Sequence, residues 1–140
     1  PGTTSDQIIS ITDIFATCAS LLGKSLPENA GEDSVSFLKC LSGQQKGPFR
    51  EASVQQSGKK ALAIRKGKWK LILHGDNKRE LFDLNADIGE KHNAIQTHPK
   101  VAAELALLLQ SYLDKGRSTP GKAQPLEYKI SLDEVRYKKK

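Results

Sequence analysis

Residues 62–72 read LAIRKGKWKLI, and residues 80–90 read ELFDLNADIGE. In the first stretch, two short runs of alternating apolar residues flank Lys66-Gly67. A two-residue connection that contains glycine is typical of a tight β-hairpin, because glycine tolerates a positive φ angle. The second run carries its apolar residues, beginning with Trp69, on one face of its strand. These stretches therefore predict an antiparallel sheet with one apolar face.

Further strands and a long helix complete this unit. We place a first strand near 51–56 and a fourth at 80–84, so that short turns join the strands into an antiparallel meander. A helix follows, because Pro99 suits a first helical turn, Gly116 suits a helix stop, and an apolar stripe lies between them. The fold class predicted from these patterns is α+β, with a four-stranded antiparallel sheet packed by this C-terminal helix.

An N-terminal helix precedes the sheet. After Thr12-Asp13, which resembles a helix cap, apolar residues recur at helical spacing as far as Leu22, and Gly23 follows as a stop. Because this helix is apolar on more than one face, we expect it to pack against something substantial. One hypothesis is a part of the same protein outside this chain, and another is a homo-oligomer in which the helix meets a second copy.

The composition is that of an ordinary globular protein. Of the 140 residues, 37% are hydrophobic and 27% are charged. No apolar run approaches the roughly 20 residues that cross a bilayer, so we predict no membrane span. The formal net charge is +6, and a basic cluster around the hairpin is either a solvated surface, which we favour, or a site for anionic polymers. The chain begins with Pro1 and contains no Met, so we expect the gene to begin upstream.

No residues with the spacing of a catalytic or metal site stand out. The three histidines fall in turns or at a helix start, where packing and capping explain them. Asp83, Asp87 and Glu90 lack the dense oxygen-ligand pattern of a calcium loop. We therefore predict no catalytic residue and no metal ligand in this chain.

The cysteines and the single tryptophan are also explained by packing. Cys18 and Cys40 lie in apolar helical patterns, where a free cysteine behaves as a small buried hydrophobe, and a bridge between them is the alternative. Trp69 alternates with leucines, which favours a core position over a stacking platform for nucleic acid. We predict no nucleic-acid partner.

Several segments, taken in order, resemble the type I sulfatases, the arylsulfatase branch of the alkaline-phosphatase-like hydrolases. The opening PGTTSDQIISITDIFATCASLLGKSLP is similar to the end of the family's catalytic domain. EDSVSFLKCLSG is similar to the segment that follows it, with Ser34 in place of the usual Gly and Lys39 in place of the usual Pro. LAIRKGKWKLI, ELFDLNADIGEKHNAI and GRSTPGKAQ are the most specific matches and resemble the C-terminal subdomain, in particular that of bacterial relatives.

The resemblance implies a division of the chain into three parts. Residues 1–47 are the end of the catalytic domain and a connecting segment, so that the N-terminal helix is left from the catalytic α/β domain. Residues 48–117 are the C-terminal subdomain with its antiparallel sheet and helix. Residues 118–140 are a Pro/Gly-rich loop and a basic tail.

The resemblance also implies where the chemistry lies. In such enzymes a Cys or Ser within a Cys/Ser-x-Pro-x-Arg motif becomes formylglycine, whose hydrate attacks the sulfate sulfur beside a calcium ion. Cys18 precedes Ala-Ser-Leu and Cys40 precedes Leu-Ser-Gly, so neither fits the motif. Formylglycine and calcium are therefore expected in the longer enzyme that would contain this chain, here called the parent enzyme. The chain itself is expected to hold no cofactor and to be inactive alone.

The C-terminal subdomain of the family can line one rim of the substrate pocket. Relatives often carry His near the strand end occupied here by residues 54–57, whereas this sequence has Gln55 and Gln56. Glutamine can hydrogen-bond a sugar hydroxyl, and Lys59 can attract a sulfate group. We take Gln55, Gln56 and Lys59 as the substrate-proximal candidates.

The predicted function is that of the non-catalytic C-terminal portion of a sulfatase. It would complete the fold and line the pocket for a sulfate ester, either a sulfated carbohydrate or an aryl sulfate, with the catalytic domain as its partner. The bacterial resemblance implies a periplasmic or exported enzyme. The alternative is a stand-alone basic module for anionic polymers, which a salt-dependent affinity would identify.

Overall fold

The structure is a computed structural model. In the part of the chain that it describes, two helices are followed by four strands, a third helix and two further strands. That part comprises residues 2, 4–57, 61–125, 128–132 and 136–139, and in the last two strands only the backbone is described. In chain order the elements are α1 (Asp13–Leu21), α2 (Leu38–Leu41), β1 (Ser53–Gln56), β2 (Leu62–Lys66), β3 (Trp69–Leu73), β4 (Arg79–Asp83), α3 (Pro99–Lys115), β5 (Tyr128–Ser131) and β6 (Arg136–Lys139).

The first four strands form one antiparallel sheet in the order β1-β2-β3-β4, which confirms the predicted meander and the α+β class. The central turn differs by one residue from the predicted one. Lys66 pairs with Trp69, which leaves Gly67-Lys68 as the two-residue connection. The reason is that the pairing of β2 continues one residue beyond its apolar positions and includes the charged Lys66. Gly67 has a φ of 55°, in the left-handed region that glycine adopts at little cost.

The core lies between one face of this sheet and α3. The helix packs on β2 and β3, and Ile64, Leu71 and Leu109 are 0%, 1% and 0% exposed. Trp69 is half-buried against the same cluster, which confirms its predicted core position, and its ring lies 4.7 Å from the ring of His98. The buried members of the cluster are Ala52, Leu62, Ile64, Leu71, Leu73, Leu81, Ala102, Leu105, Leu109 and Leu132.

The two ends of α3 match the residues from which they were predicted. Pro99 opens the helix, and Gly116 follows its last residue in the left-handed conformation, with a φ of 65°. A Cβ atom at Gly116 would lie 2.4 Å from the carbonyl oxygen of Gln124. Glycine therefore permits the following loop to return closely to the end of the helix.

Strand β4, at one edge of the sheet, is covered by the segment that leads into α3. The Asn93 side chain accepts a hydrogen bond from the Leu81 amide at 3.0 Å and donates one to the Arg79 carbonyl at 3.3 Å. The Ala94 amide donates to the Leu81 carbonyl at 2.7 Å. These bonds give backbone groups of this edge strand partners within the chain, which protects the edge from pairing with other strands.

Helix α1 exposes much of its apolar surface, as its sequence predicted. Leu21 and Leu22 are 71% and 74% exposed, Ile11 just before the helix is 83% exposed, and Ile14 and Phe15 are half exposed. Thr12 occupies the N-cap position, as predicted, but its side chain makes no capping bond. Instead, the Asp13 carboxylate inside the first turn accepts a bond from the Ser10 amide at 2.7 Å.

The C-terminal part contributes a second, two-stranded antiparallel sheet of β5 and β6, which sequence analysis treated as a tail. Leu132, between these strands, is 9% exposed and belongs to the main core. Its carbonyl accepts a bond from the Arg79 guanidinium at 3.4 Å. Leu132 therefore connects the C-terminal part of the chain to β4 and to the main core.

Replacement of Leu109 by Ala should lower the free energy of unfolding by about 2–5 kcal/mol, because it leaves a cavity at a fully buried position. Leu107→Ala is the matched control in the same helix, since Leu107 is 73% exposed, and should change the stability by less than about 0.5 kcal/mol. Equilibrium urea unfolding followed by circular dichroism measures both. Equal losses in the two variants would contradict the described packing of α3.

Candidate functional site

Two of the three predicted substrate-proximal residues lie on edge strand β1. Gln55 and Gln56 are both exposed and pair with Ala63 and Leu62 of β2. The Ser57 amide donates to the Ala61 carbonyl at 2.9 Å and closes the pairing at this end. Lys59 lies outside the described residues. The structure thus brings two of the candidates to one strand end, and their contact with substrate stays a prediction.

The two glutamines face opposite sides of the sheet, because successive residues of a strand alternate. Gln56 shares its side with Val54, which packs against the core under α3. Gln55 shares the other side with Ser53, and its side-chain amide donates to the Ser53 hydroxyl at 2.7 Å. A ligand at this strand end would therefore reach Gln56 and Gln55 from different sides.

A charged cluster occupies the β3–β4 turn at the same end of the sheet. One Glu80 oxygen lies 2.8 Å from His74 Nε2, and the other lies 2.8 Å from Lys78 Nζ. The Lys78 ammonium, followed by His74, lowers the pKa of the Glu80 carboxyl. His74 is a turn residue, as predicted, with its amide bonded to the Lys78 carbonyl at 2.9 Å.

The lysines of the central hairpin are paired with carboxylates. Lys66 contacts Glu51 at 2.8 Å, Lys68 contacts Asp83 at 2.7 Å, and Lys70 contacts Glu90 at 2.6 Å. The hydrogen bond from Lys68 is the main cause that lowers the pKa of Asp83. The basic cluster of the sequence is therefore neutralised in part by neighbours on the same surface.

Asp83, Asp87 and Glu90, the acidic residues considered as calcium ligands, each have other partners. Asp83 binds Lys68 of the hairpin turn, and Glu90 binds Lys70 of β3. Asp87 accepts bonds from the amides of Lys91 and His92, both at 2.7 Å. Among the described residues, no group of three or more His, Cys, Asp or Glu side chains is arranged to hold a metal ion. Cys18 and Cys40 are free thiols rather than a bridge, but the prediction that they are buried was wrong, because Cys18 is exposed and Cys40 is only partly buried.

Sequence analysis missed a buried ion pair between Asp13 and Arg50. Their side chains are 0% and 6% exposed, and Arg50 Nη2 donates to Asp13 Oδ1. The same Asp13 oxygen accepts a bond from the Val35 amide at 2.9 Å. Asp13 was interpreted as a helix cap, and a partner 37 residues away leaves no local pattern that could have found it.

A second missed residue, Arg117, holds the loop after α3. It is 7% exposed, and its guanidinium donates to the carbonyls of Glu28 and Lys122, both at 3.0 Å. The neighbouring Thr119 amide and hydroxyl both donate to the Glu32 carbonyl, at 3.2 and 2.7 Å. The GRSTPGKAQ segment therefore binds the backbone of residues 28–32 rather than forming a free loop.

Arg50 and Glu51 separate two open clefts at the start of β1. One, of about 760 Å³, lies between the N-terminal segment around Gln7 and the tip of the β2–β3 hairpin. The other, of about 370 Å³, lies against the end of α3 and the Arg117 loop. Both combine charged and apolar lining.

Glu51 also couples the end of α3 to the sheet. The Tyr112 hydroxyl donates to Glu51 at 3.3 Å, and Lys66 binds the other oxygen of the same carboxylate. Burial, followed by the negative charge of Glu51, raises the pKa of Tyr112 to about 12. The hydrogen bond to Lys66 lowers the pKa of Glu51.

Because folding raises the pKa of Tyr112 from 10.0 to about 12, the folded chain holds this proton more tightly than the unfolded chain. The stabilisation is fully present below pH 10 and is lost as the pH rises toward 12. Over that range the wild type should lose stability more steeply than Tyr112→Phe, in urea unfolding at a series of pH values. Parallel pH profiles for the two proteins would show that Tyr112 titrates normally.

The chain is similar to known sulfatases in sequence. No family model matches it. An N-acetylgalactosamine-6-O-sulfatase of Bacteroides thetaiotaomicron is 40% identical over 119 residues, in a match that covers 74% of this chain and 23% of that protein. The chain therefore spans about a quarter of the length of this curated relative.

Solved structures give the same result for the fold. A structure labelled 6S-sulf, from work on the metabolism of multiple glycosaminoglycans by Bacteroides thetaiotaomicron, has a TM-score of 0.62 and 41% identity, over 71% of this chain and 24% of that one. A 2-O GAG sulfatase has a TM-score of 0.58 and 26% identity, over 81% of this chain and 27% of that one.

The order of elements and the sequence identity lead to one assignment. The four-stranded meander packed by α3, preceded by an exposed apolar helix, is the arrangement expected from the resemblance, and the sulfatase structures share it. No helix in the described part of the chain is both long and apolar enough to cross a membrane. The chain is therefore similar, in sequence and in fold, to the C-terminal subdomain of bacterial sulfatases.

Proposed function

We propose that this chain is the C-terminal, non-catalytic portion of an enzyme that hydrolyses sulfate esters. The observation that carries the proposal is the 40% identity to a sulfatase of which the chain covers 23%. A piece this closely related is expected to occupy the same place in a similar fold. The sulfate ester would then be cleaved in a catalytic domain encoded upstream of Pro1.

The described residues do not fit the cofactor and metal that type I sulfatases use. The neighbours of Cys18 and Cys40 differ from the motif in which formylglycine forms. The described His, Cys, Asp and Glu side chains form no group suited to a metal ion. We therefore place formylglycine and calcium in the catalytic domain of the parent enzyme and derive no chemical step from this chain.

The exposed apolar surface around α1 supports a catalytic domain as the partner. It consists of Ile11, Ile14, Phe15, Leu21 and Leu22, which are all at least half exposed. Burial of apolar surface stabilises by roughly 25 cal/mol per Å², so a contiguous patch of this kind normally marks an interface. A domain of the same polypeptide covers it at the lowest entropic cost, and association with a second copy of the chain is the alternative.

A sulfated glycan is the substrate that we propose for the parent enzyme. One relative is named for N-acetylgalactosamine-6-O-sulfate chemistry, and another is named a 2-O GAG sulfatase. Gln55, Gln56 and Lys59 would lie at the rim of the pocket, where amide groups can bind sugar hydroxyls and an ammonium group can attract sulfate. The positions of Gln55 and Gln56 on an exposed edge strand support this role.

The alternative function, a stand-alone basic module for anionic polymers, is disfavoured by the ion pairs of the hairpin. Lys66, Lys68 and Lys70 each contact a carboxylate. A polymer would have to displace these carboxylates or bind beside them, which weakens its attraction.

Two further expectations belong to the same proposal. The parent enzyme would be periplasmic or exported, as the bacterial resemblance implies. Its catalytic domain and connecting segment would end near residue 47, and the subdomain would continue to residue 117. The start of β1 after Arg50 and the end of α3 at Lys115 support these boundaries.

The isolated chain should release no sulfate from N-acetylgalactosamine-6-sulfate or from 4-nitrophenyl sulfate, because it lacks the residues for the reaction. Co-expression with the polypeptide encoded upstream of Pro1 should produce a complex that hydrolyses at least one of them. Ion chromatography of free sulfate measures both. Turnover by the chain alone, or an upstream sequence without Cys/Ser-x-Pro-x-Arg, would overturn the proposal. Salt-dependent retention on heparin would support the binding-module alternative instead.

In the parent enzyme, Gln56→Ala and Lys59→Ala should raise KM for a sulfated glycan about fivefold to tenfold, as expected for the loss of one hydrogen bond or charge contact. Their KM for 4-nitrophenyl sulfate should stay unchanged, because this small ester does not extend to the rim. Gln44→Ala is the matched control, since Gln44 is an exposed glutamine that follows α2 and lies outside β1. An unchanged glycan KM in both test variants would remove these residues from the substrate pocket.

A further inference from the structure

The contacts that attach α1 to the four-stranded sheet differ from those that attach α3 to it. α3 packs on β2 and β3 through the apolar core, whereas α1 packs chiefly against α2. The apolar residues of α1 are largely exposed. The relative position of α1 and the sheet must therefore depend to a large extent on other contacts.

The buried pair Asp13–Arg50 supplies the most direct of these contacts. Asp13 is the first residue of α1, and Arg50 precedes the first residue of β1 by three positions. Both side chains are almost completely inaccessible to solvent. Separating the two would leave an uncompensated buried charge, so the pair resists opening far more than a surface ion pair does.

The same guanidinium makes a second connection. Arg50 Nη2 also donates to the Asp33 carbonyl at 3.2 Å. The Asp33 carboxylate accepts a bond from the Ser118 amide at 2.9 Å, in the loop whose Arg117 binds the Glu28 carbonyl. Residues from four separate parts of the chain thus meet around Arg50 in one continuous set of polar contacts.

We infer that Asp13, Arg50 and Asp33, held by the Arg117 loop, form a polar joint that fixes the orientation of β1 relative to α1. Arg50 suits this task because its planar guanidinium presents several donors in fixed directions, which a lysine ammonium cannot do. The chain continues from Arg50 directly into β1, and therefore to Gln55 and Gln56. A role in substrate binding rests on the proposed function, which places α1 against the catalytic domain. The joint would then orient β1 relative to that domain, which makes Arg50 a positioning residue for the pocket rim.

The joint can be tested in the chain as it exists, without any enzymatic activity. Spin labels at the exposed native Cys18 of α1 and at an introduced Gln55→Cys of β1, with Cys40→Ser, report the distance between the two elements by pulsed electron resonance. The chain that carries only Gln55→Cys and Cys40→Ser should give one narrow distance distribution. Arg50→Gln should broaden the distribution and shift its mean, because the charge that binds Asp13 is lost.

Two further variants keep this test decisive. Arg50→Lys preserves the charge but not the fork of donors, so it should fold and broaden the distribution to a lesser degree than Arg50→Gln. Arg65→Gln is the matched control, because the Arg65 side chain donates to the carbonyl of Gly67, two residues away, at 3.2 Å. It should leave the distribution unchanged. If Arg50→Gln does not fold, Arg50→Lys alone decides the question. A narrow, unshifted distribution in a folded Arg50 variant would overturn the inference.

The role in positioning is measured in the parent enzyme with two substrates. Arg50→Lys should raise KM for the sulfated glycan while kcat falls little, and kcat/KM for 4-nitrophenyl sulfate should stay near the wild-type value. A merely structural role would lower kcat for both substrates equally, since it would only reduce the amount of folded enzyme; that result would overturn the positioning role. A wild-type parent enzyme that hydrolyses neither substrate would contradict the proposed function, while the distance measurement would still decide on the joint.

Discussion

The removal of one sheet face from water by α3 is the interaction on which the other features of this chain depend. Strands of four or five residues form few backbone hydrogen bonds each, so an uncovered meander of this size would be marginal. Ile64, Leu81 and Leu109 are completely buried at this contact. Once the face is covered, the register of each strand is set, because a slip by one residue would turn the apolar side chains toward solvent.

Different physical forces hold the two halves of the chain. The sheet and α3 share an apolar core, whereas the N-terminal part is attached by the Asp13–Arg50 pair and by the Arg117 loop. Polar contacts are directional and define an orientation, while apolar contacts mainly supply stability. This division fits a subdomain that leaves the apolar surface of α1 available for a larger partner.

Most charged side chains of the central hairpin and of the β3–β4 turn are paired with neighbours. The hairpin lysines and the Glu80 carboxylate are paired with neighbours, and the described acidic residues form no metal site. Enzymatic chemistry needs a positioned nucleophile and groups that stabilise developing charge. The sulfatases to which the chain is similar are several times longer, since it covers 23% and 24% of two of them.

The sequence by itself determined the α+β class, the order of the strands, the limits of α3 and the exposed apolar character of α1. These features follow from local signals, since periods of 2 and 3.6 residues and the backbone limits of Gly and Pro act within a few positions. Only the tertiary structure decided that the turn is Gly67-Lys68 and that Asp13 is not merely a helix cap. The partners of Asp13 and of Arg117 lie 37 and 89 residues away. Contacts at such separations depend on how the chain folds back on itself, and no short sequence pattern encodes them.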